Sequence, residues 1–292
     1  MAAKGSAIPR RQLGRIMREM RSEVGLTLAQ TAKLMGCSAA TVQRLETGAI
    51  VNIDPEDIEM FCRVMGADEV TTMALKWLAD QGGATEWFHK YTDLIPPNFD
   101  VYMGLESVAV KLASFVELVP GLLQTKAYAR TLFRAVHPTE PDSEIERRVE
   151  MRMQRQTLIK RKVRPLAIDV ILDQSVLHRI IGSRKIMAAQ LYHLADLGTR
   201  PNVRIRILPY AVGVPLGDLT GPFIIMDFED AEAGQPYEPP VVYVESYTGA
   251  MYLDGRDTVD RYRAAHANLG RVALSEQASR DLLRRTAKGY SS

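Results

Sequence analysis

The stretch LTLAQTAKLMGCSAATVQRLETG, Leu26 to Gly48, decides the reading of the N-terminal part of this chain. Two helices that cross closely need a small residue at the crossing, and Ala32 supplies it. The turn between them needs a residue that tolerates left-handed backbone, and Gly36 lies four positions on. Met35, Val42 and Leu45 have the spacing of apolar anchors behind a second helix. Ser38 is an N-cap for that helix, read as 39–47, and Gly48 ends it. Helix 28–35, turn and helix 39–47 together read as a helix-turn-helix. An ordinary helical hairpin accounts for any one of these features, but not for their combination.

The second helix of such a pair enters the DNA major groove by its N-terminal residues. Ser38, Ala39, Ala40, Thr41, Gln43 and Arg44 then face away from Val42 and Leu45. Arg44 suits bidentate bonding to guanine O6 and N7, and Gln43 suits adenine N6 and N7. Ala39 and Ala40 offer apolar contact, for example to thymine methyls. Ser38 and Thr41 can bond phosphate as well as cap. Arg10, Arg11 and Lys33 are candidates for contacts to phosphate that carry no sequence information. For each of these residues the alternative is a solvated side chain with no contact.

Outward from this core the pattern stays helical. Leu13, Ile16, Met17 and Met20 mark an amphipathic helix over 10–23, with Pro9 in its first turn and Gly25 after it. Asp54-Pro55 opens a helix to about Met65, ended by Gly66, and Asp68 caps another to about Asp80. Gly82-Gly83 closes the domain, giving 1–83 as the DNA-binding domain. Residues 1–50 hold eight Lys/Arg against Glu19, Glu23 and Glu46, a net charge of +5, whereas residues 51–85 sum to −5. A domain with a basic and an acidic half orients itself on a polyanion. The whole chain carries only +2 over 292 residues, enough length for two or three domains. It has no apolar run of membrane-spanning length and no apolar leader, and Cys37 and Cys62 are too few for a disulfide framework. The expectation is a cytoplasmic protein.

Past an aromatic and proline-bearing connector, 84–97, the pattern changes to mixed helix and strand over 98–292. Helices are expected at 98–110, 125–136, 142–162, 184–197, 256–269 and 276–286. Strands are expected at 166–172, 203–208, 222–228, 241–245 and 250–253, with Ser246-Tyr247-Thr248-Gly249 as a hairpin turn. The fold class is α+β: an all-α N-terminal domain, then a mostly antiparallel sheet covered by helices. The loop 229–240 is read as mobile.

The N-terminal residues resemble the Xre/Cro-repressor type of helix-turn-helix. With EWFHKYTDLIPPNFDVYMGLE, FVELVPGLLQTKAYAR, ERRVEMRMQRQ, PNVRIRILPY, GPFIIMDF and VVYVESYTGAMYLD following, the chain resembles the WhiJ-like regulators of actinomycetes from about residue 10 to 285. That resemblance implies a transcription factor of development or secondary metabolism. It also implies a small companion protein encoded nearby, the pair being described as antitoxin-like and toxin-like. Leu28 stands where Xre domains commonly have a phosphate-bonding Gln, so that contact is missing here.

The C-terminal half carries no HExxH, P-loop, GxGxxG or GxSxG, and the expectation is no enzyme and no cofactor or metal. Asp169 and Asp173 alternate along one strand and read as exposed or capping carboxylates. Trp87, His89 and Tyr91 pack aromatics beside polar tips and suit either a pocket wall or a staple between domains. Gln124 and Thr125 end a loop whose free N–H groups can hold an anion; plain capping by Thr125 is the alternative. Arg148 and Arg152 belong to the charged helix 142–162, whose inner stripe is Ile145, Val149, Met153 and Gln156. That charge is either a solvated face or a site for an acidic partner or for flanking DNA. The reading is therefore a homodimeric regulator of double-stranded DNA whose C-terminal domain senses a ligand or a companion protein. The alternative is an antitoxin-like protein that sequesters a small partner and binds DNA for autoregulation.

Overall fold

The computed structural model describes residues 7–50, 53–67, 99–162, 165–217, 220–228, 239–247 and 249–291, with single residues at 72, 75, 76, 79, 91 and 94. The chain divides after Val108 into two compact units. Trp87, His89, Gly82-Gly83, Thr248, most of the helix expected at 68–80 and most of the loop 229–240 lie outside the described residues.

The first unit opens with α1 (Ala7–Glu23), α2 (Leu28–Met35), α3 (Ala39–Glu46) and α4 (Pro55–Met65). Local chemistry sets their ends. Thr27 accepts a hydrogen bond from the Gln30 amide while the Gln30 side chain reaches back to the Thr27 N–H, a reciprocal cap for α2. Gly36 closes α2 at φ 70°, the left-handed turn read from the sequence. Ser38 caps α3 by accepting from the Thr41 amide, and Asp54 caps α4 ahead of Pro55. Leu13 and Met17 of α1, Leu45 of α3, and Ile58, Phe61, Cys62 and Met65 of α4 share one buried core. Gly14 permits the close approach of α1 to α3: a Cβ there would lie 2.5 Å from the Leu45 carbonyl oxygen. Helix α5 (Phe99–Val108) packs on α1.

The second unit is built on a six-stranded sheet, order β3-β2-β1-β4-β5-β6. The strands are β1 (Lys111–Val116), β2 (Ala167–Asp173), β3 (Val203–Leu208), β4 (Phe223–Asp227), β5 (Val241–Ser246) and β6 (Gly249–Leu253). The pairs β1–β4, β4–β5 and β5–β6 are antiparallel, but β1–β2 and β2–β3 are parallel. The parallel half needs crossover helices: α6 (Lys126–Val136), α7 (Asp142–Arg155) and α8 (Thr157–Lys160) between β1 and β2, then α9 (Ser175–His178) and α10 (Arg184–Leu197) between β2 and β3. The last helices are α11 (Arg256–Val272) and α12 (Glu276–Ser291). Ala113, Phe115, Ile171, Phe223, Ile225 and Val242 form one core with Val259 and Leu269 of α11. Ala129 and Phe133 of α6 meet Ile145 and Val149 of α7 in another.

The architecture is α+β with a mostly antiparallel sheet, as read from the sequence: three of the five strand pairings are antiparallel. Strand β1 (KLASFV) is not among the expected strands, because Lys111 and Ser114 interrupt its apolar run. The single helix expected over 142–162 ends at Arg155, because the Gln156 side chain turns inward to bond the carbonyls of Gly121 and Gln124 at 3.1 and 2.7 Å.

Candidate nucleic-acid interface

The face of α3 follows from its anchors. Val42 and Leu45 are fully buried, so Ala39, Ala40, Gln43 and Arg44 are exposed and Thr41 is half-exposed. Ser38 is exposed at the helix start, its hydroxyl 2.9 Å from that of Thr41, so both hydroxyls are already oriented. Lys33 is exposed on α2. Among the described residues neither Arg44 nor Lys33 has an ion-pair or side-chain hydrogen-bond partner, so both cations face solvent uncompensated. Ala32 is buried where α2 meets α3.

Arg10 and Arg11 depart from their expected role: they are 1% and 7% exposed. The cause is the phase of α1. Arg10 lies at i, i+3, i+7 with Leu13 and Met17, on the inward stripe. A Cβ at Gly48 would fall 3.0 Å from the Arg11 Cγ, so Arg11 lies against the turn that ends α3. Buried guanidiniums of this kind position the fold and do not reach a phosphate as they stand.

Glu46, the last residue of α3, is 4% exposed and is gripped by Arg21 of α1. Arg21 Nε and Nη2 donate to its two carboxylate oxygens at 2.5 and 2.8 Å, and Nη1 donates to the Leu26 carbonyl at 2.8 Å. Arg18 donates to the Glu46 carbonyl at 3.1 Å. The hydrogen bond to Glu46 raises the pKa of Arg21 further. This bidentate clamp fixes the reading helix to α1 at its C-terminal end, leaving its N-terminal end free to enter a groove. Sequence reading counted Glu46 only as one charge among many. The signal that could have found it is a carboxylate in phase with Val42 and Leu45, on the buried side of an amphipathic helix. Cys37 sits in the turn, its thiol pushed up by burial and by Asp57, which disfavours the reactive thiolate.

A family model described as a helix-turn-helix domain matches residues 12–75. A second, described as a domain of unknown function (DUF5753), matches residues 99–285, well over half of the chain. The chain belongs to the DUF5753 family. No curated protein and no solved structure matches it. Its helix-turn-helix marks it as a DNA-binding regulator, and none of its described helices is long and apolar enough to cross a membrane.

Within the DUF5753 part the remaining candidate residues turn inward. Thr125 caps α6, and its own N–H donates to Gln190 Oε1 at 2.7 Å, so it is not open to an anion. Gln124 is buried; its Nε2 donates to the Val119 carbonyl and its Oε1 accepts from Arg152, both at 2.7 Å. Arg152 also lies 4.1 Å over the Phe133 ring. Arg148 is buried and donates to both carboxylate oxygens of Glu140 at 2.8 and 2.7 Å, holding that carboxyl below its usual range. Ile145 and Val149 bring this side of α7 inward, so that Arg148 faces the α6–α7 connection and Arg152 faces Gln124 and α6; neither guanidinium is left open to a partner. Tyr91 is buried. Asp173 accepts from the Ser175 amide at 2.8 Å as a turn cap, and Asp169 pairs with Arg206 at 2.8 Å.

Proposed function

We propose that this chain is a sequence-specific transcriptional regulator of the WhiJ-like, Xre-type kind, binding DNA as a homodimer while its DUF5753 part receives the signal. The observation that carries this reading is the exposed face of α3, with Gln43 and the unpartnered Arg44 beside two bare alanines, backed by the Glu46 clamp. Two such helices on half-sites about 34 Å apart would read an inverted repeat. Coupling is supported by α5, which packs on α1 and runs within two residues into β1. We read the DUF5753 part as non-catalytic, since Asp169 and Asp173 are committed to an ion pair and a turn. The signal is a ligand or a small companion protein that binds the DNA-competent and incompetent states with different affinity.

The test is selection of bound fragments from genomic DNA at physiological salt, with and without the companion protein. An enriched inverted repeat, bound by the chain alone, is the expected outcome. Enrichment only with the companion present would favour the antitoxin-like reading, in which the complex is the working unit. No enrichment in either arm would refute sequence-specific recognition.

A further inference from the structure

The second unit carries a cleft of about 670 Å3 where β2 and β3 begin, walled by the loop Gly198–Asn202 and by the first turns of α12. Its charges do not balance. Two carboxylates line it, and both are already neutralised. Glu276 forms an ion pair with Arg204, Nε to Oε1 2.9 Å, and Asp169 pairs with Arg206 at 2.8 Å and lies 3.7 Å from Arg204. Three further cations line the cleft with no carboxylate of their own in it. Lys111 and Arg200 are exposed and unpartnered among the described residues. Arg280 spends its hydrogen bonds on neutral oxygens, those of Gly198 at 3.0 Å and Gln277 at 2.7 Å, and keeps its charge uncompensated. Arg284, at the rim, is 3.6 Å from Asp196, which does not line the cleft.

We propose that this cleft binds a small phosphorylated molecule of nucleotide size. Three positive charges converging on one concavity disfavour it empty and focus anions into it. A guanidinium fork and a lysine ammonium are the pair that best bonds phosphate oxygens. The volume lies in the range of small-molecule sites, roughly 300–1,000 Å3. The other wall suits the rest of such a ligand: Pro201 and Ile168 offer apolar surface, and Thr199 and Gln277 offer polar groups. Arg204 is engaged by Asp169 and Glu276, which leaves Lys111, Arg200 and Arg280 as the cations that meet an anion. The cleft thus favours a compact charged end at Lys111 and Arg200. The binding site stands independently of DNA recognition; only its role as the regulator's signal site rests on that reading.

Calorimetry on the full chain at low salt tests this, with inorganic pyrophosphate and ADP as probes. One-site binding of pyrophosphate is expected, with tenfold or greater loss in Arg200→Ala and in Lys111→Ala. Both residues are exposed, so both variants fold, which circular dichroism checks. Arg271→Ala, outside the cleft, should bind as wild type. Pyrophosphate bound without ADP still supports the phosphate site and directs the search to another appended group. No pyrophosphate binding up to about 1 mM, or unchanged binding in both cleft variants, overturns the proposal. So does loss of random-duplex affinity in these variants without pyrophosphate binding, which would make the cleft part of a DNA surface. Arg44→Ala keeps the two readings apart: it should weaken operator binding and leave pyrophosphate binding unchanged.

Discussion

Glu46→Ala removes the carboxylate that ties the reading helix to α1. Its magnitude follows from what remains. Glu46 is 4% and Arg21 14% exposed, so the pair sits in a low-dielectric environment and truncation strands a desolvated guanidinium. Breaking a buried ion pair from one side costs about 3–5 kcal/mol. The lower end applies here, about 3 kcal/mol, for two reasons. Arg21 Nη1 keeps its bond to the Leu26 carbonyl, and Arg18 bonds the Glu46 main chain, which the substitution spares. Far-ultraviolet circular dichroism follows the loss of helices α1 to α4. With a urea slope of about 1.5 kcal/mol/M, a loss of about 3 kcal/mol lowers the midpoint by about 2 M. Operator affinity should fall with it, since α3 loses its anchor. A midpoint shift below about 0.5 kcal/mol in equivalent free energy, the size expected of a solvated surface pair, would refute the view that the clamp orients α3.

Three further outcomes are expected. Arg44→Ala should cost about 1–3 kcal/mol on the selected operator and little on random duplex; equal losses on both, measured by anisotropy titration, would make Arg44 a phosphate contact. Gly14→Ala should destabilise the first unit by at least about 2 kcal/mol, because its Cβ would meet the carbonyl oxygens of Leu45 and Glu46 at 2.5 and 2.6 Å; an unchanged melting curve would mean α1 and α3 do not approach as described. Burial holds His193 and His266 below the ordinary imidazole value, so the unfolded chain takes up protons first and stability declines as pH falls below about 6.5. Replacing His266 by Asn should flatten that decline in thermal melts between about pH 7 and 5, and an unaltered slope would count against it.

The sequence by itself determined the helix-turn-helix. Ala32, Gly36, Ser38, Val42 and Leu45 act within a few residues of one another, so spacing alone specifies caps, turn and the exposed side of α3. Five of the six strands were legible for the same local reason, as short β-branched runs between turn residues. Only the tertiary structure decided what depends on distant partners. The parallel pairing of β1 with β2 joins Lys111 to Ala167 and Val116 to Leu172, far apart in the chain, and nothing within β1 announces that register. The burial of Arg10, Arg11 and Arg148, and the inward bond of half-buried Arg152 to Gln124, are a matter of helix phase against surfaces brought from elsewhere. Arg21 meets Glu46 across 25 positions, and the cleft gathers Lys111, Arg200 and Arg280 across most of the second unit. Charge shows in a sequence, but whether it is paired, buried or left facing a cavity depends on which side chain the fold sets opposite it.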